Sequence, residues 1–294
     1  MTYNFNREEL RGFQIDWGFS RLNYIEAIIL GIIQGISEFL PVSSTAHLII
    51  AESAFGITFP GLVFEVFLHF ASVLAVIIYF AKDLVKLIKG FTGYTFLGKQ
   101  NYIFEFKLGS YLILSTVTTG VLGILLEGIL DEHLRGTVLI SLGLFVSGIL
   151  LCLVERHQNF SIKKGKNQKH IDEMGWRDSV IIGIWQGFAV IPGISRSGAT
   201  VVGALWRSLE KESALFYSFF LSIPVIVSSS IIKLPDIDGA LLSNYPGEMF
   251  ISFITSFVCA LLGIKFLIYL VKQSKLTHFS VYLFALSILT LFFI

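Results

Sequence analysis

Gln34, Glu38, Ser43, Ser44, Thr45 and His47 crowd into one stretch, GIIQGISEFLPVSSTAH at 31–47, whose other residues are apolar enough to lie in a bilayer. Ionisable groups at membrane depth are expensive and mark function by default. Gln34 and Glu38 stand at i and i+4, and Ser44 and His47 at i and i+3, so each pair shares a helix face. A carboxylate, a serine and a histidine side by side are the components of phosphoryl transfer. Ser44 is the expected nucleophile, with His47 activating it or later activating water, and His47 as nucleophile is the alternative left open. Glu38 orients either of them, or holds a cation together with Gln34. Ser43 or Ser44 is expected to cap the helix that begins after Pro41.

The design returns later in the chain. GIIQG at 31–35 reappears as GIWQG at 183–187, and 183–200 reads GIWQGFAVIPGISRSGAT. Here Ser195, Ser197 and Thr200 offer hydroxyls, and Gly193 and Gly198 permit close backbone approach. Arg196 carries a permanent charge whose planar fork suits phosphate. An arginine in mid-membrane without a ligand or an acidic partner is costly. The first turn of each helix offers unpaired N–H groups and the positive end of a dipole, a ready site for anions. Two such turns facing each other around Arg196 would cradle a polyanion. A competing reading applies to any single hydroxyl here, because serines and threonines in membrane helices often bond their own backbone or glue helices together. Glu65 and His69 form a weaker pair at helical spacing. Lying near the start of their run, they are expected to face the interface.

Composition says what must position these groups. Of 294 residues, 54% are hydrophobic and 15% charged, with a mean hydropathy of +0.75. That is an integral membrane protein. The net charge is +1 and no basic stripe interleaved with aromatics occurs, so no nucleic-acid partner is expected. Cys152 and Cys259 both lie in apolar runs and read as packing residues, not as a disulfide or thiolate metal site. No cleavable signal peptide is read at the N-terminus.

Six apolar runs are long enough to span, at about 62–81, 108–130, 137–154, 213–233, 247–271 and 278–294. The two polar stretches differ from them. Pro41 separates short segments at 24–39 and 43–55, and Pro192-Gly193 separates segments at 179–191 and 198–209. A proline pushes the residue before it out of helical geometry, so each reads as a half-helix, a turn and a second half-helix. Irregular backbone at that depth must be surrounded by protein or a wet cavity.

The expected fold is an all-α integral membrane protein of two inverted repeats, each a re-entrant helical hairpin plus three transmembrane helices. A polar extension occupies 1–23. The first repeat is 24–154, opened by a hairpin at 24–55. A hydrophilic cytoplasmic linker follows at 155–177, and the second repeat is 178–294, opened by a hairpin at 178–209. Three spans is an odd number, so the second repeat is upside down relative to the first and the hairpins enter from opposite faces. Of the 22 Lys and Arg residues, fifteen fall on one side and five on the other; Arg196 and Lys265 lie inside apolar runs. The richer side is cytoplasmic, which puts both termini outside. Hairpins that crossed the membrane would give the same split with both termini inside, so charge alone leaves that choice open.

Residues 34–47, QGISEFLPVSSTAH, resemble the E/Q-xxx-E … PVSS … H signature of the bacterial undecaprenyl-diphosphate phosphatases, the bacitracin-resistance family. Residues 192–200, PGISRSGAT, resemble its second signature, PGxSRSxxT. The similarity covers essentially all of the chain after residue 22. The first signature position is Gln34 instead of Glu, which removes one acid/base or metal-ligand candidate, and Ala46 stands where glycine is common. The other lipid phosphatase class is not matched, since no histidine follows Arg196 until His278.

The resemblance implies hydrolysis of undecaprenyl diphosphate to undecaprenyl phosphate and inorganic phosphate, which recycles a cell-wall lipid carrier at the outer leaflet of the bacterial plasma membrane. It further implies dependence on a divalent cation, Mg2+ or Ca2+, with Glu38 as the candidate ligand, and an association into homodimers. Glu38, Ser44, His47 and Arg196 are then the catalytic set. Gln34, Ser43, Thr45, Ser195, Ser197 and Thr200 bind the substrate, and an apolar groove between spans holds the prenyl tail. A polyprenyl-phosphate flippase or transporter, using the same inverted-repeat site without hydrolysis, is the alternative.

Overall fold

The chain was analysed as a computed structural model, which describes residues 22–57, 63–127, 136–233, 244–273 and 275–293. The extension expected at 1–23 lies outside the described residues except for 22 and 23. So do the outer ends of the runs at 62–81, 108–130 and 278–294.

The described chain is helical. Its helices are α1 (Tyr24–Ser37), α2 (Ser44–Phe55), α3 (Val63–Tyr79), α4 (Ala81–Leu97), α5 (Ile103–Glu127), α6 (Thr137–Lys163), α7 (Trp176–Gly187), α8 (Arg196–Trp206), α9 (Lys211–Lys233), α10 (Pro246–Gln273) and α11 (Thr277–Phe293). Among the described residues no strand forms, and the one β-type contact is an isolated bridge between Lys169 and Leu209. Four stretches are long and apolar enough to cross a membrane: Gln100–Leu126, Thr137–Lys163, Lys211–Ile232 and Pro246–Val271. The protein is therefore a multi-pass membrane protein.

Both broken segments form pairs of half-helices. α1 starts at a capping box, with Asn23 Oδ1 accepting from the Ile25 and Glu26 amides and Glu26 returning to the Asn23 amide. It stops before Pro41. In the second pair, α7 ends at Gly187, and Pro192-Gly193 forms the turn before α8. Each turn contains one residue with positive φ, Ser43 at +66° and Gly193 at +89°. Ser37 to Ser44 are all buried, so protein surrounds the first turn.

Two elements depart from the sequence reading. Residues 82–97 fall between the runs at 62–81 and 108–130 and are given no element, yet 81–97 form α4, which meets α3 at 77°. Gly90 and Gly93 are buried while Lys82, Lys86 and Lys89 remain exposed. A helix that is half polar and half packed lies at an interface instead of crossing. The linker assigned to 155–177 also begins inside a helix, because α6 runs to Lys163. The rest of it is tied down: buried Asp178 accepts from Lys169 Nζ at 3.0 Å, from Arg207 Nε at 2.7 Å and from the Gly175 amide at 3.0 Å.

The packing is nearly unchanged when the two halves are exchanged. α1 packs on α10, as α7 packs on α5; α3 packs on α10, as α9 packs on α5; α3·α9 and α6·α11 are their own counterparts. The duplicated glycines explain the first pair of contacts. A Cβ at Gly35 would stand 2.4 Å from Ser256 O, and one at Gly187 would stand 2.7 Å from Leu122 Cβ. Small residues let membrane helices approach this closely, and hydroxyls then bond across the gap. Ser115 Oγ donates to Ser179 O at 2.6 Å, and Ser256 Oγ to Leu68 O at 3.2 Å. Between α6 and α11 the bonds are reciprocal: Ser141 Oγ donates to Ser287 O at 2.7 Å and Ser287 Oγ to Ser141 O at 2.8 Å.

This packing predicts opposite outcomes for two glycines. Gly35→Val should cost about 3 kcal/mol, the upper end for overpacking a tight contact. Gly120→Ala, with no atom within 4 Å of its added Cβ, should be neutral or mildly stabilising because alanine favours helix. Thermal melting of both variants in detergent checks the contrast.

Candidate active site

Glu38 follows the last turn of α1 and is 3% exposed. Four side chains from four helical elements converge on its carboxylate. Gln34 Nε2 donates to Oε2 at 2.7 Å, and Ser44 Oγ donates to the same oxygen at 2.8 Å. His69 Nε2 stands 3.2 Å from Oε2, and Arg196 Nη2 pairs with Oε1. Gln34 reaches back one helical turn, as the i, i+4 spacing requires. Ser44 arrives because the turn at 38–43 reverses the chain. Arg196 comes from the second hairpin, at the first position of α8.

The two turns are also bonded directly. Ser197 Oγ donates to Leu40 O at 2.8 Å, and a Cβ on Gly198 would lie 3.4 Å from Pro41 Cβ. The second turn rests on α6, where Ser147 Oγ accepts from the Ser195 amide at 3.3 Å. A Cβ at Gly143 would stand 2.2 Å from Pro192 O, so only glycine fits beneath that turn.

A cavity of about 380 Å³ opens on this cluster. Its polar end carries Glu38, Ser43, Ser44, Thr45, Glu65, His69, Ser195 and Arg196. Ile49, Val66, Leu139, Ile140, Ile191, Ile194, Val225 and Ile226 form apolar walls, with Ser229 and Ser230 set into the wall from α9. One end therefore suits an anion and the rest suits a hydrocarbon chain. The long walls belong to the beginnings of α3 and α6 and the second half of α9.

The residues singled out in the sequence fall into distinct places. Ser43, Thr45 and Ser195 line the cavity. Ser195 also caps α8, accepting from the Gly198 amide at 3.1 Å. Thr200 turns away, with Oγ1 2.5 Å from Ser218 Oγ on α9. Gln34 stands behind Glu38. The expected cap on α2 does not form: Ser43 makes no side-chain cap bond, and the Ser44 hydroxyl is spent on Glu38. A buried carboxylate is the stronger acceptor, and it leaves the first-turn amides of α2 without a side-chain cap. His47 is turned out of the cluster. Its Nδ1 donates to Ser43 O at 2.7 Å, and its Nε2 lies 2.5 Å from the hydroxyl of Tyr282 on α11, with the rings stacked at 5.7 Å.

Glu65 and His69 do not face the interface; they line the cavity. The signal was their i, i+4 spacing in an apolar run, and the missing information was that α3 packs against both α1 and α9. Tyr282, far away in sequence, carried no signal.

The cation implied by the signatures can be tested against these groups. Glu38 Oε2 is engaged by Gln34, Ser44 and His69, Oε1 meets only Arg196, and Gln34 Oε1 has no hydrogen-bond partner; among the described residues no three His, Cys, Asp or Glu side chains gather to hold a metal ion. A cation held by Glu38 and Gln34 would draw its remaining ligands from substrate or water.

Residues 27–289 match the model of the bacitracin resistance protein BacA family, and the chain belongs to that family. It is 46% identical over 274 residues to undecaprenyl-diphosphatase 2 of Halalkalibacterium halodurans, covering 92% of this chain and 96% of that protein. It is 44% identical to undecaprenyl-diphosphatase 1 of Shouchella clausii, covering 92% and 97%. Undecaprenyl-diphosphatase of Methanosphaera stadtmanae is 36% identical, with 92% and 98% covered.

The bidentate fork of Arg196 makes a sharp prediction. Arg196→Lys keeps the charge but loses the planar pair of donors, so turnover should fall about 100-fold or more, not a few-fold. Steady-state phosphate release by the purified variant checks this, and a wild-type rate would remove Arg196 from the chemistry.

Proposed function

We propose that this protein hydrolyses undecaprenyl diphosphate to undecaprenyl phosphate and inorganic phosphate. The observation that carries the reading is the Ser44 hydroxyl, 2.8 Å from a buried carboxylate that also holds Arg196, at the polar end of an otherwise apolar cavity. The relatives are named for this substrate, and the cavity has the two ends that a polyprenyl diphosphate needs.

In this reading Ser44 attacks the terminal phosphorus, the bond to the bridging oxygen breaks, and the prenyl phosphate leaves. Water then cleaves the phosphoserine and frees phosphate. Glu38 takes the Ser44 proton, because it is the group within hydrogen-bond reach. When the diphosphate draws Arg196 onto its own oxygens, Glu38 gives up its charge partner on Oε1 and is left to take the Ser44 proton. His47, held between Ser43 and Tyr282, is a support for the first turn of α2 in this scheme. A divalent cation, Mg2+ or Ca2+, is proposed to arrive on the diphosphate oxygens.

The orientation follows the same logic. The cavity lies at the ends of α3, α6 and α9 remote from Lys82, Lys163 and Lys211. Lysine-rich ends face the cytoplasm, so the cavity opens outward in the plasma membrane. The packing that survives exchange of the halves supports inverted repeats with re-entrant hairpins, and a homodimer is proposed on the family likeness.

Phosphate release by purified protein in detergent, where transport has no meaning, tests the activity. Ser44→Ala should reduce it to background while a diphosphate still binds, whereas Ser43→Ala should stay within about tenfold, since its hydroxyl makes no cap bond. Full turnover by Ser44→Ala would overturn the nucleophile. For orientation, Gly136→Cys and Lys166→Cys flank α6 in a background lacking Cys152 and Cys259. An impermeant thiol reagent should label position 136 and spare 166 in intact cells; the reverse would turn the cavity inward.

A further inference from the structure

His69 lies outside both signature stretches, yet it reaches the carboxylate on which the site is built. Elsewhere the buried acids are used to tie elements together: Asp178 holds Lys169 and Arg207, and Glu155 accepts from Thr277 at 2.5 Å. His69 touches the reaction centre instead. We propose that His69 is a further positioning residue of the phosphatase site, holding Glu38 Oε2 toward Ser44 throughout turnover. The inference rests on the diphosphatase reading above.

The geometry fixes how the ring is held. His69 Nδ1 is 2.6 Å from the backbone carbonyl of Glu65. A carbonyl only accepts, so Nδ1 carries hydrogen and the ring is clamped to its own helix. Nε2 then points at Glu38 Oε2 across 3.2 Å. Two bare acceptors would repel at that distance, so one proton is shared between the ring and the carboxylate. Oε2 is also the oxygen that receives the Ser44 hydroxyl. The ring is thus a strut between the backbone of α3 and the oxygen that faces the nucleophile.

The strut has a task that Gln34 cannot perform alone. When the diphosphate takes Arg196, Glu38 loses the partner on Oε1 and is free to swing. Gln34 sits on the same helix one turn away and moves with α1. His69 comes from α3 and approaches from the cavity side, with its side chain 20% exposed against 1% for Glu38. The charged groups around it are Arg196 and Glu38 across the cluster and Glu65 on its own helix. Small misplacements of a catalytic group lower the chemical step more than binding.

Full-length protein carrying His69→Leu or His69→Gln tests this. His69→Leu should lower kcat about 100-fold with KM within about threefold. His69→Gln, whose amide N–H can reach toward Oε2, should recover to within about tenfold of wild type. Wild-type kcat in His69→Leu, a glutamine variant no better than leucine, or a loss confined to KM would each overturn the proposal. A second reading does not depend on turnover or on the leucine variant folding. In protein labelled with 15N-histidine, the His69 Nε2 resonance, assigned by its loss in His69→Gln, should shift when Glu38→Gln is introduced. An unmoved resonance would overturn the contact. Absence of phosphate release by wild type would sink the diphosphatase reading instead, and the resonance would still decide the strut.

Discussion

A single buried carboxylate organises the centre of this protein. Removing a carboxylate from water costs several kcal/mol even after relaxation, and only well-placed donors offset that. Glu38 has four: Gln34 from α1, Ser44 from α2, His69 from α3 and Arg196 from α8. None of these elements can shift without leaving a charge or a donor uncompensated. The site is held together by the desolvation cost of one group. The same cost keeps Arg196, itself expensive in a membrane, in the one place where it has an acidic partner.

That convergence requires backbones to approach unusually closely. Lipid tails are as apolar as the helices, so burial of apolar surface does not drive helices together in a bilayer; close packing and hydrogen bonds do. Gly35 on Ser256 and Gly187 on Leu122 supply the packing, and Ser115 and Ser256 supply bonds across it. Because α1 leans on α10 and α7 on α5, each hairpin is braced by the other half of the chain. The two turns can then be pressed together, Ser197 on Leu40 and Gly198 against Pro41. Chemistry at the turns is bought with small residues on the helices.

The cavity joins two regimes that one chemistry rarely needs together. Its polar groups come from the turns and from α3, and its apolar walls from the second turn and the spans. At the polar side of this cavity Arg196 neutralises Glu38.

Much of this was legible in the residues themselves. The composition dictated a membrane protein, Pro41 and Pro192 dictated the two breaks, and the repeated GIxQG announced two related halves. Gln34, Glu38, Ser44 and Arg196 stood out because polar groups in an apolar run have few harmless explanations. Spacing along a helix, however, constrains only neighbours on that helix. Ser44 and His47 share a face by spacing, yet Ser44 turns to Glu38 and His47 to Tyr282, because a buried carboxylate is the stronger acceptor and a tyrosine on α11 lies within reach of the ring. His69 looked peripheral until α3 was seen packed between α1 and α9. α4 is not read as an element, because its lysines mask the glycine face that packs on α5. Local chemistry thus follows from sequence. The partner of each polar group was decided by tertiary structure, because in a medium without water every buried donor must find the acceptor that the packing of distant helices brings to it.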